Sequence, residues 1–370
     1  MVYLDHAATT PLRKEAFNVM LPYFAEHAAN ANALYAEGRK ARSAIDHARG
    51  QIADAIHAKS SEIYFTGGGS ESDNWALFGV MRALEGKKHI ITTQIEHHAI
   101  LNACAALESL GYDVTYVPVD QWGRVSPQDI EKAIRPETGL VSVMAANNEV
   151  GTIQPIAEIA RIAHAHGVLM HTDAVQAVGH IPIDVAAVNV DLLSMAAHKF
   201  YGPKGIGALY IKNGVKITSL VYGGEQERGL RAGTENTPAI VGMGEALALA
   251  CSEMDRAAQQ IVHLRDLLEN EIMQRMPEAI VNGDREKRLP GTLHVTFPGA
   301  DTNMLLMRLD MEGIAVSAGS ACAAGARERS HVLEAMHVPS GADVRFSLGT
   351  DNDETQIRQT VDTLYRILNG

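Results

Sequence analysis

The sequence predicts an α/β fold in which a large, mostly parallel sheet is joined to a smaller α+β part. Two observations support this class. Short apolar segments of strand type alternate with helical segments between residues 63 and 211, which is typical of parallel sheets covered by helices. After a long helical stretch that starts near residue 237, strands and helices follow in the order of an α+β unit.

Two helices are predicted before the sheet. An extended segment ends at Pro11, and a helix is predicted from there to about residue 26, because proline is tolerated in a first helical turn. A second helix is predicted over residues 36–57, where apolar residues recur at spacings of three and four: Ala41, Ile45, Ala48, Ile52 and Ile56. This stripe predicts a core face without a function.

The sheet and its helices follow. Strands are predicted over residues 63–66, 89–94, 114–119, 140–145, 168–172, 190–195 and 206–211. Helices are predicted over residues 99–110, 126–135 and 155–166, and another starts in the glycine-rich segment 67–74. The polar residues that come just after predicted strands include His97, Asn148, Asp173 and Lys199. Because ligands bind beyond the carboxyl ends of parallel strands, these residues predict one site.

The α+β part begins within a long helix predicted over residues 237–276. Strands are then predicted over residues 293–297, 314–317 and 344–348, and helices over 303–311 and 354–368. We therefore predict a large α/β domain over residues 13–253. Residues 1–12 and 254–370 are predicted to form the small domain, which carries a loop with a cysteine.

Lys199 and Asp173 carry the strongest chemical signal. Lys199 lies at the end of a predicted strand, directly before a tight Gly/Pro loop. Most lysines in such places are simply exposed, but a lysine in a partly buried pocket loses its proton more readily and forms Schiff bases. A Schiff-base lysine paired with an acid for a pyridinium nitrogen is what a protein contributes to pyridoxal phosphate chemistry. The pair therefore favours a pyridoxal phosphate site.

Two glycine-rich segments are candidates for binding. The segment 67–74 joins a strand to a helix, and such a junction presents backbone N–H groups and the positive end of a helix dipole to a phosphate. Ser70 and Asp73 have the spacing of a capping box. Alone the signal is weak, since most glycine turns before helices bind nothing. The segment 223–236 fits either a binding loop or a flexible surface loop.

One of the three cysteines differs from the others in its surroundings. Cys322 lies among Gly, Ala and Ser residues, with Arg327 and Arg329 beyond it. This setting favours an exposed nucleophile, although a chance surface thiol gives the same pattern. Cys104 and Cys251 lie in helical segments rich in Ala and Leu and are predicted to be core residues.

The composition argues against several classes of protein. A net charge of −12 disfavours nucleic acid as a direct partner. No apolar run reaches the roughly 18 residues of a membrane span, and the first residues do not have the pattern of a secretory signal. The odd number of cysteines without C-x-x-C spacing disfavours disulfides and zinc. A reducing cytoplasm is the expected location.

Taken together, these motifs resemble those of the cysteine desulfurases, which belong to the class-V aminotransferase group of pyridoxal phosphate enzymes. The resemblance implies the aspartate aminotransferase-like fold of that group. It runs from Tyr3 to about Leu368 and rests on residues 3–11, 66–74, 96–98, 147–151, 173–176, 198–199, 229–236, 319–322 and 345–349. The serine-containing segment around Cys322 is similar to that of the group with the long mobile cysteine loop.

The resemblance implies a role for each residue that contacts the cofactor ring. Lys199 would form the Schiff base and move protons, and Asp173 would pair with the pyridine nitrogen. Gln176 and Asn148 would bind near the ring hydroxyl. His97 would stack on the ring and take part in proton transfer.

The remaining implied roles concern the phosphate, the substrate and the sulfur. The phosphate would be held by Gly69, Ser70, His198 and, from a neighbouring subunit of a homodimer, Thr234. Arg345 would bind the substrate carboxylate, with Asn148 also near the substrate. Cys322 would attack the substrate sulfur.

The implied activity converts L-cysteine to L-alanine and passes the sulfur, as a Cys322 persulfide, to an acceptor protein. The acceptor would be an iron–sulfur scaffold, a tRNA-thiolation protein or another carrier, and the sequence does not distinguish among them. Two alternatives stay open. One is a transaminase, or a lyase acting on selenocysteine or another β-substituted amino acid, which Cys322 disfavours. The other is a non-catalytic sulfur-assembly subunit, which the joint presence of Lys199, Asp173, His97 and Arg345 disfavours.

The sequence departs from the family pattern in several places. Ala196 stands where the family has a serine or threonine that binds the phosphate. The missing hydroxyl predicts weaker phosphate binding, by roughly 1.5–3 kcal/mol, unless Ser194 or water compensates. This chain also has Tyr35 where the family has a histidine, Asn32 and Ala33 where it has two serines, and Arg329 where it commonly has a proline.

Overall fold

The computed structural model describes residues 1–319 and 329–369. The strands are β1 (Val2–Tyr3), β2 (Ile63–Thr66), β3 (His89–Thr93), β4 (Asp113–Val117), β5 (Thr138–Ser142), β6 (Leu169–Asp173), β7 (Leu192–Ala196), β8 (Gly207–Ile211), β9 (Ile280–Asn282), β10 (Thr292–Phe297), β11 (Ile314–Ala315) and β12 (Ala342–Ser347). The helices are α1 (Lys14–Met20), α2 (Pro22–Ala25), α3 (Ala36–Ala55), α4 (Gly69–Ala83), α5 (His98–Ser109), α6 (Pro127–Ala133), α7 (Ile156–Ala165), α8 (Val185–Val188), α9 (Thr237–Arg275), α10 (Thr302–Met311), α11 (His331–Ala335) and α12 (Glu354–Asn369).

The largest sheet has seven strands in the order β2-β8-β7-β6-β5-β3-β4. Strands β3 to β7 run parallel, whereas β8 is antiparallel to both β7 and β2. The carboxyl ends of the parallel strands therefore meet at one edge, where ligands bind in folds of this kind. The predicted α/β class with a mostly parallel sheet is confirmed.

Two smaller strand groups lie outside this sheet. Strands β9, β10 and β12 form an antiparallel sheet with β10 in the middle, and β1 pairs in parallel with β11. The first residues of the chain thus lie beside strands formed by residues after 275. This arrangement fits the predicted small domain of residues 1–12 and 254–370, although the division itself stays a prediction.

The long helix α9 packs into two apolar clusters. Ile240, Met243 and Leu247 in its first half are buried with the helices and strands of the seven-stranded sheet. Leu264 and Leu268 in its second half are buried in a separate cluster with β10, β12 and α12. Within the described ranges, no helix combines the length and the apolar character that crossing a membrane requires.

Several predicted bounds were wrong. The helix predicted from residue 11 to 26 is two helices, and Pro22 starts the second because a proline has no N–H to donate within a continuing helix. Asp173 is the last residue of β6 rather than the residue after it. The short elements β9, α8 and α11 were not predicted, because three to five residues are too few to show a periodicity.

The second glycine-rich segment, residues 223–236, is anchored by ion pairs. Glu227 accepts two hydrogen bonds from the Arg49 guanidinium on α3, at 2.6 and 2.7 Å, and both side chains are buried. Glu227 also accepts from the backbone N–H of Phe65. Arg231 pairs with Glu71 at the start of α4. These contacts show an ordered segment rather than the flexible surface loop that was the alternative, and its role in binding stays a prediction.

Replacing Glu227 with glutamine is expected to lower the free energy of unfolding by about 3–5 kcal/mol, because it leaves the Arg49 charge buried without its partner. Denaturant unfolding followed by circular dichroism measures the loss. The matched control is Asp129→Asn, which breaks an exposed pair with Lys132 and should cost no more than about 1 kcal/mol. Equal losses of unfolding free energy for the two variants would show that the buried ion pair stabilises the protein no more than the exposed one.

Candidate functional site

A cavity of about 210 Å³ lies where β5, β6 and β7 end. Its wall includes the following predicted site residues: Gly69, Ser70, His97, Asn148, Asp173, Gln176, His198, Lys199 and Arg345. The prediction that the residues just after the strands meet at one site is therefore confirmed in its geometry. Thr234 is exposed and is not part of this wall. Cys322, with Arg327, lies outside the described residues.

Lys199 ends a short 3₁₀ turn that follows β7. Its Nζ donates to the backbone carbonyls of Ala7, at 2.6 Å, and Ala8, at 2.9 Å. The backbone carbonyl of Lys199 accepts a hydrogen bond from His180, at 2.8 Å. The N-terminal segment therefore fixes the lysine head group at the mouth of the cavity.

Asp173 lies at the end of β6 and is buried. Its Oδ1 accepts the backbone N–H of Val175 at 2.9 Å. Burial raises the pKa of this carboxyl, while His97, the Val175 N–H and Lys199 lower it. An acid with this set of neighbours can pair with a protonated ring nitrogen.

His97 caps the N-terminus of α5. Its Nδ1 accepts the backbone N–H of Ala99 at 3.1 Å, so the neutral ring carries its proton on Nε2. Burial lowers the pKa of His97, and Asp173 raises it. The neutral ring is a flat surface beside Asp173 that can stack on a planar ligand and exchange a proton at Nε2.

The phosphate-binding prediction falls on the start of α4. The helix begins at Gly69, and Gly68 precedes it with a φ of 150° and no side-chain cap, so the expected capping box of Ser70 and Asp73 was wrong. Backbone N–H groups in this first turn remain available to an anion. A Cβ on residue 69 would lie 2.8 Å from the Val175 side chain, which is too close, so a larger residue than glycine would clash there.

His198 borders the same end of the cavity. Its Nδ1 lies 3.2 Å from the Thr9 hydroxyl. Burial, and then Lys199, lower the pKa of His198 to about 4, so the ring is neutral near pH 7. A neutral imidazole can donate one hydrogen bond to a phosphate without adding charge.

Arg345 lies on β12 and reaches the cavity from the smaller sheet. One terminal nitrogen donates to the Asn148 carbonyl and the other to Asp5, both at 2.8 Å. Its Nε is buried and has no hydrogen-bond partner among the described residues. This guanidinium is held in place while its Nε–H has no partner among the described residues, and each terminal nitrogen keeps a second N–H.

The N-terminal segment was not predicted to hold the site together. Besides binding Lys199, the Ala7 carbonyl accepts a hydrogen bond from the Gln176 amide at 3.0 Å. Asp5 fixes Arg345, and Thr9 contacts His198. Most of these contacts use backbone carbonyls, which leave no trace in the pattern of side chains.

Two buried acids near the cavity were also missed. Asp73 lines the wall and is 1% exposed. Glu96 is fully buried behind His97, where burial raises its pKa to about 8. The signal was present for Asp73, since a carboxyl four residues after Gly69 stands among apolar residues on one face of α4.

The departures from the family pattern have structural counterparts. Ala196 lines the cavity, while the Ser194 hydroxyl lies 3.0 Å from His171 Nε2 and is not part of the wall. Ser194 therefore offers the phosphate no substitute hydroxyl. Asn32 donates to Glu235 of the second glycine-rich segment, and Tyr35 is exposed.

Arg329 has a structural role. Its guanidinium pairs with Asp343 and donates to the backbone carbonyls of Val338 and Pro339. The two described cysteines fit their predicted core roles: Cys104 is buried, with its pKa raised by burial to about 12, and burial also raises the pKa of the half-buried Cys251. Neither thiol readily forms the thiolate of a nucleophile.

The side chains present fit pyridoxal phosphate. An amine, a buried acid and an imidazole face one cavity at Lys199, Asp173 and His97, which is the set that this cofactor requires. At the other end, the start of α4 offers backbone N–H groups to a phosphate. The unpartnered Nε of Arg345 suits a carboxylate.

The chain is similar to known proteins along nearly its whole length. The aminotransferase class-V family profile matches residues 2–360. A cysteine desulfurase IscS of Dictyoglomus turgidum is 50% identical over 371 residues, which cover 99% of this chain and 94% of that protein. A cysteine desulfurase IscS of Methanosarcina thermophila is 48% identical over 99% of this chain and 92% of that protein.

Solved structures agree with these relatives. A NifS-like protein superposes with a TM-score of 0.94 and 39% identity over 99% of each chain. A structure described as SspA in complex with cysteine superposes with a TM-score of 0.83 and 39% identity, over 95% of this chain and 99% of that one. The similarity thus includes the seven-stranded sheet and the smaller strand groups.

Proposed function

The chain belongs to the cysteine desulfurase family of the class-V aminotransferases, and on that premise we propose which of its residues carry out the reaction. It is a pyridoxal phosphate-dependent enzyme that removes sulfur from cysteine. The proposal for the site rests chiefly on one observation, the convergence of Lys199, Asp173 and His97 on one cavity.

The cofactor would be held along the wall of that cavity. Asp173 would pair with the ring nitrogen, His97 would cover one ring face, and Gln176 and Asn148 would lie near the ring hydroxyl. The phosphate would lie at the start of α4, with contacts to Gly69, Ser70 and His198. When bound, pyridoxal phosphate supplies an electron sink for the bonds that break at the substrate α-carbon.

Lys199 and His97 would move the protons. The Lys199 amine lies just after β7, on the wall of the cavity that Asp173 also lines. Its Nζ donates hydrogen bonds to the Ala7 and Ala8 carbonyls, so the amine must leave these two contacts to act as a base. His97 Nε2–H offers a second place where a proton is held.

Arg345 and Asn148 would bind L-cysteine. The guanidinium already has two of its nitrogens fixed by Asp5 and the Asn148 carbonyl, so little side-chain entropy is lost when it binds a carboxylate. The Cys322 thiolate would then take the sulfur, forming a persulfide on the enzyme and leaving L-alanine. In the overall balance, L-cysteine and the thiol give L-alanine and the persulfide.

The partners are a further part of the proposal. Thr234, exposed and outside its own cavity, would contact the phosphate of a second subunit in a homodimer. Exposed large apolar residues suit such an interface: Phe17 on α1, Phe24 on α2 and Leu21 between the two helices. An acceptor protein of an iron–sulfur or tRNA-thiolation route would take the persulfide sulfur. We place the enzyme in the cytoplasm, where thiols stay reduced.

Reduction with borohydride followed by peptide mapping tests the assignment of the cofactor lysine. Borohydride turns a Schiff base into a stable amine, so the cofactor mass should appear on the peptide that contains Lys199. Finding it on a different lysine, such as Lys204, which lines a neighbouring cavity with Ser70 and His198, would contradict the proposal.

Replacing Arg345 with lysine is expected to raise KM for L-cysteine roughly 10- to 100-fold, because a lysine keeps the charge but loses the donors directed at the carboxylate. The effect on kcat should be smaller. Steady-state alanine formation measures both constants, and circular dichroism checks that losing the contact with Asp5 leaves the fold intact. The matched control is Arg358→Lys on the exposed side of α12. An unchanged KM would remove Arg345 from the substrate site.

A further inference from the structure

Asp73 is a cavity residue to which the proposed function gives no role. It follows Gly69 by one helical turn on α4, so both face the same wall of the cavity. The side chain is 1% exposed, and its Oδ1 is buried without a hydrogen-bond partner among the described residues. A buried carboxyl oxygen in this state is costly unless it carries a proton or meets a donor.

The neighbours of Asp73 include the other acid of the site. One ligand atom each from Asp73, His97 and Asp173 lie within 4.8 Å of one another. Two carboxylates at such a distance in a buried site repel strongly, so either Asp73 or Asp173 keeps a proton.

A chain of hydrogen-bonded side chains on β5, β6 and β7 ends at Asp73. The two ring nitrogens of His171 contact Ser142 Oγ at 2.9 Å and Ser194 Oγ at 3.0 Å. Burial lowers the pKa of His171 to about 3, so the ring is neutral and donates through only one nitrogen. If Ser194 donates to Asp73, it accepts from His171, which in turn accepts from Ser142. This order leaves the unpartnered Oδ1 as the remaining place for a proton on Asp73.

The charges around the pair decide which acid is ionised. Asp173 has the Val175 N–H, His97 and Lys199 to stabilise its negative charge. Among the described residues, Asp73 faces Asp173 and His171 on β6, His97 and Glu96 beside α5, and Ser194 on β7. Its Oδ1 receives no donor comparable to the Val175 N–H. Asp173 is therefore the better anion and Asp73 the better acid.

We propose that Asp73 is a positioning residue that stays protonated beside the ionised Asp173, so that the pair carries a single negative charge and Asp173 presents it to the ring nitrogen of the cofactor. The inference rests on the proposed role of Asp173. It agrees with the directions of the pKa shifts, because burial, and then Asp173, raise the pKa of Asp73 well above its usual range.

Infrared spectroscopy of the full-length protein with bound cofactor tests the protonation of Asp73. A protonated carboxyl has its own C=O stretching band, and Asp73→Asn should remove one such band near pH 7. Glu96→Gln is the control, because the raised pKa of Glu96 gives it a separate band that must remain in the Asp73 variant. If Asp73→Asn removes no carboxylic acid band, Asp73 is ionised and the inference is overturned.

Cofactor binding tests the positioning. The asparagine keeps a neutral group with a donor, so the cofactor Kd of Asp73→Asn and the pH midpoint of its absorption change should stay close to wild type. Asp73→Ala should weaken cofactor binding roughly tenfold or more, the loss expected when a polar neighbour of a buried charge is removed. Equal Kd values for Asp73→Ala and wild type would overturn the positioning role.

The role of Asp173 is tested separately. Asp173→Asn should change the absorption spectrum of the bound cofactor and weaken its binding. If it does neither, the proposed function of Asp173 fails whatever the infrared result. If it does both while Asp73→Asn removes no band, only the inference about Asp73 fails.

Discussion

Replacing Lys199 with alanine should lower kcat/KM for L-cysteine by at least about 10³-fold, within the upper range for a single acid–base group. The reason is that Lys199 is expected both to hold the cofactor covalently and to move protons at the substrate α-carbon. The characteristic absorption of the lysine-bound cofactor should also disappear, while noncovalent binding at the start of α4 and at Asp173 remains. Alanine formation and absorption spectra measure the two effects.

The control for Lys199→Ala is Lys132→Ala, which removes an exposed lysine on α6. It should leave both the spectrum and the rate unchanged. Because Lys199 also contacts the Ala7 and Ala8 carbonyls, the thermal stability of Lys199→Ala should be measured alongside its activity. A folded Lys199→Ala protein with more than about a tenth of the wild-type rate would contradict the acid–base role.

Replacing Cys322 with alanine should lower the release of sulfur from L-cysteine by about 10²-fold or more, because the thiolate is expected to be the group that takes the sulfur. Cofactor binding and its absorption should stay at wild-type levels, because the proposed cofactor contacts are made by other residues, among them Lys199, Asp173 and His97. Sulfide release with an added thiol reductant measures the loss. Cys322→Ala should therefore lose sulfur release and keep the cofactor absorption, whereas Lys199→Ala should lose both.

Cys251→Ala is the matched control for Cys322→Ala. The Cys251 thiol is half-buried and its pKa is raised by burial, so its loss should leave sulfur release unchanged. Cys104 is a poorer control, because it belongs to the core that packs α4 and α5 on the sheet. If Cys322→Ala releases sulfide at the wild-type rate, another group takes the sulfur.

The sequence brings the central residues to one cavity even though some strand ends were misplaced by a residue or more. Lys199, Asp173 and His97 follow apolar segments, and the topology of a parallel sheet brings such positions to one edge. The family resemblance adds Arg345, which no local pattern connects to the cavity. Its approach depends on how β12 is placed against Asp5 and Asn148.

The missed features have physical reasons. The contacts of Ala7 and Ala8 with Lys199 use backbone carbonyls, which every residue has. Asp73 was interpreted as a cap, because an acid in the first turns of a helix usually is one. Only the three-dimensional packing shows that it faces Asp173 from a buried position.

A single-turnover experiment with L-cysteine and the purified enzyme tests the central claim most directly. The enzyme, with cofactor bound and no acceptor present, is mixed with substrate, and both the amino acid product and the modified cysteine peptide are measured. We predict one equivalent of L-alanine and one persulfide on Cys322 per active site. Pyruvate in place of alanine, or a persulfide on Cys104 or Cys251, would contradict the account.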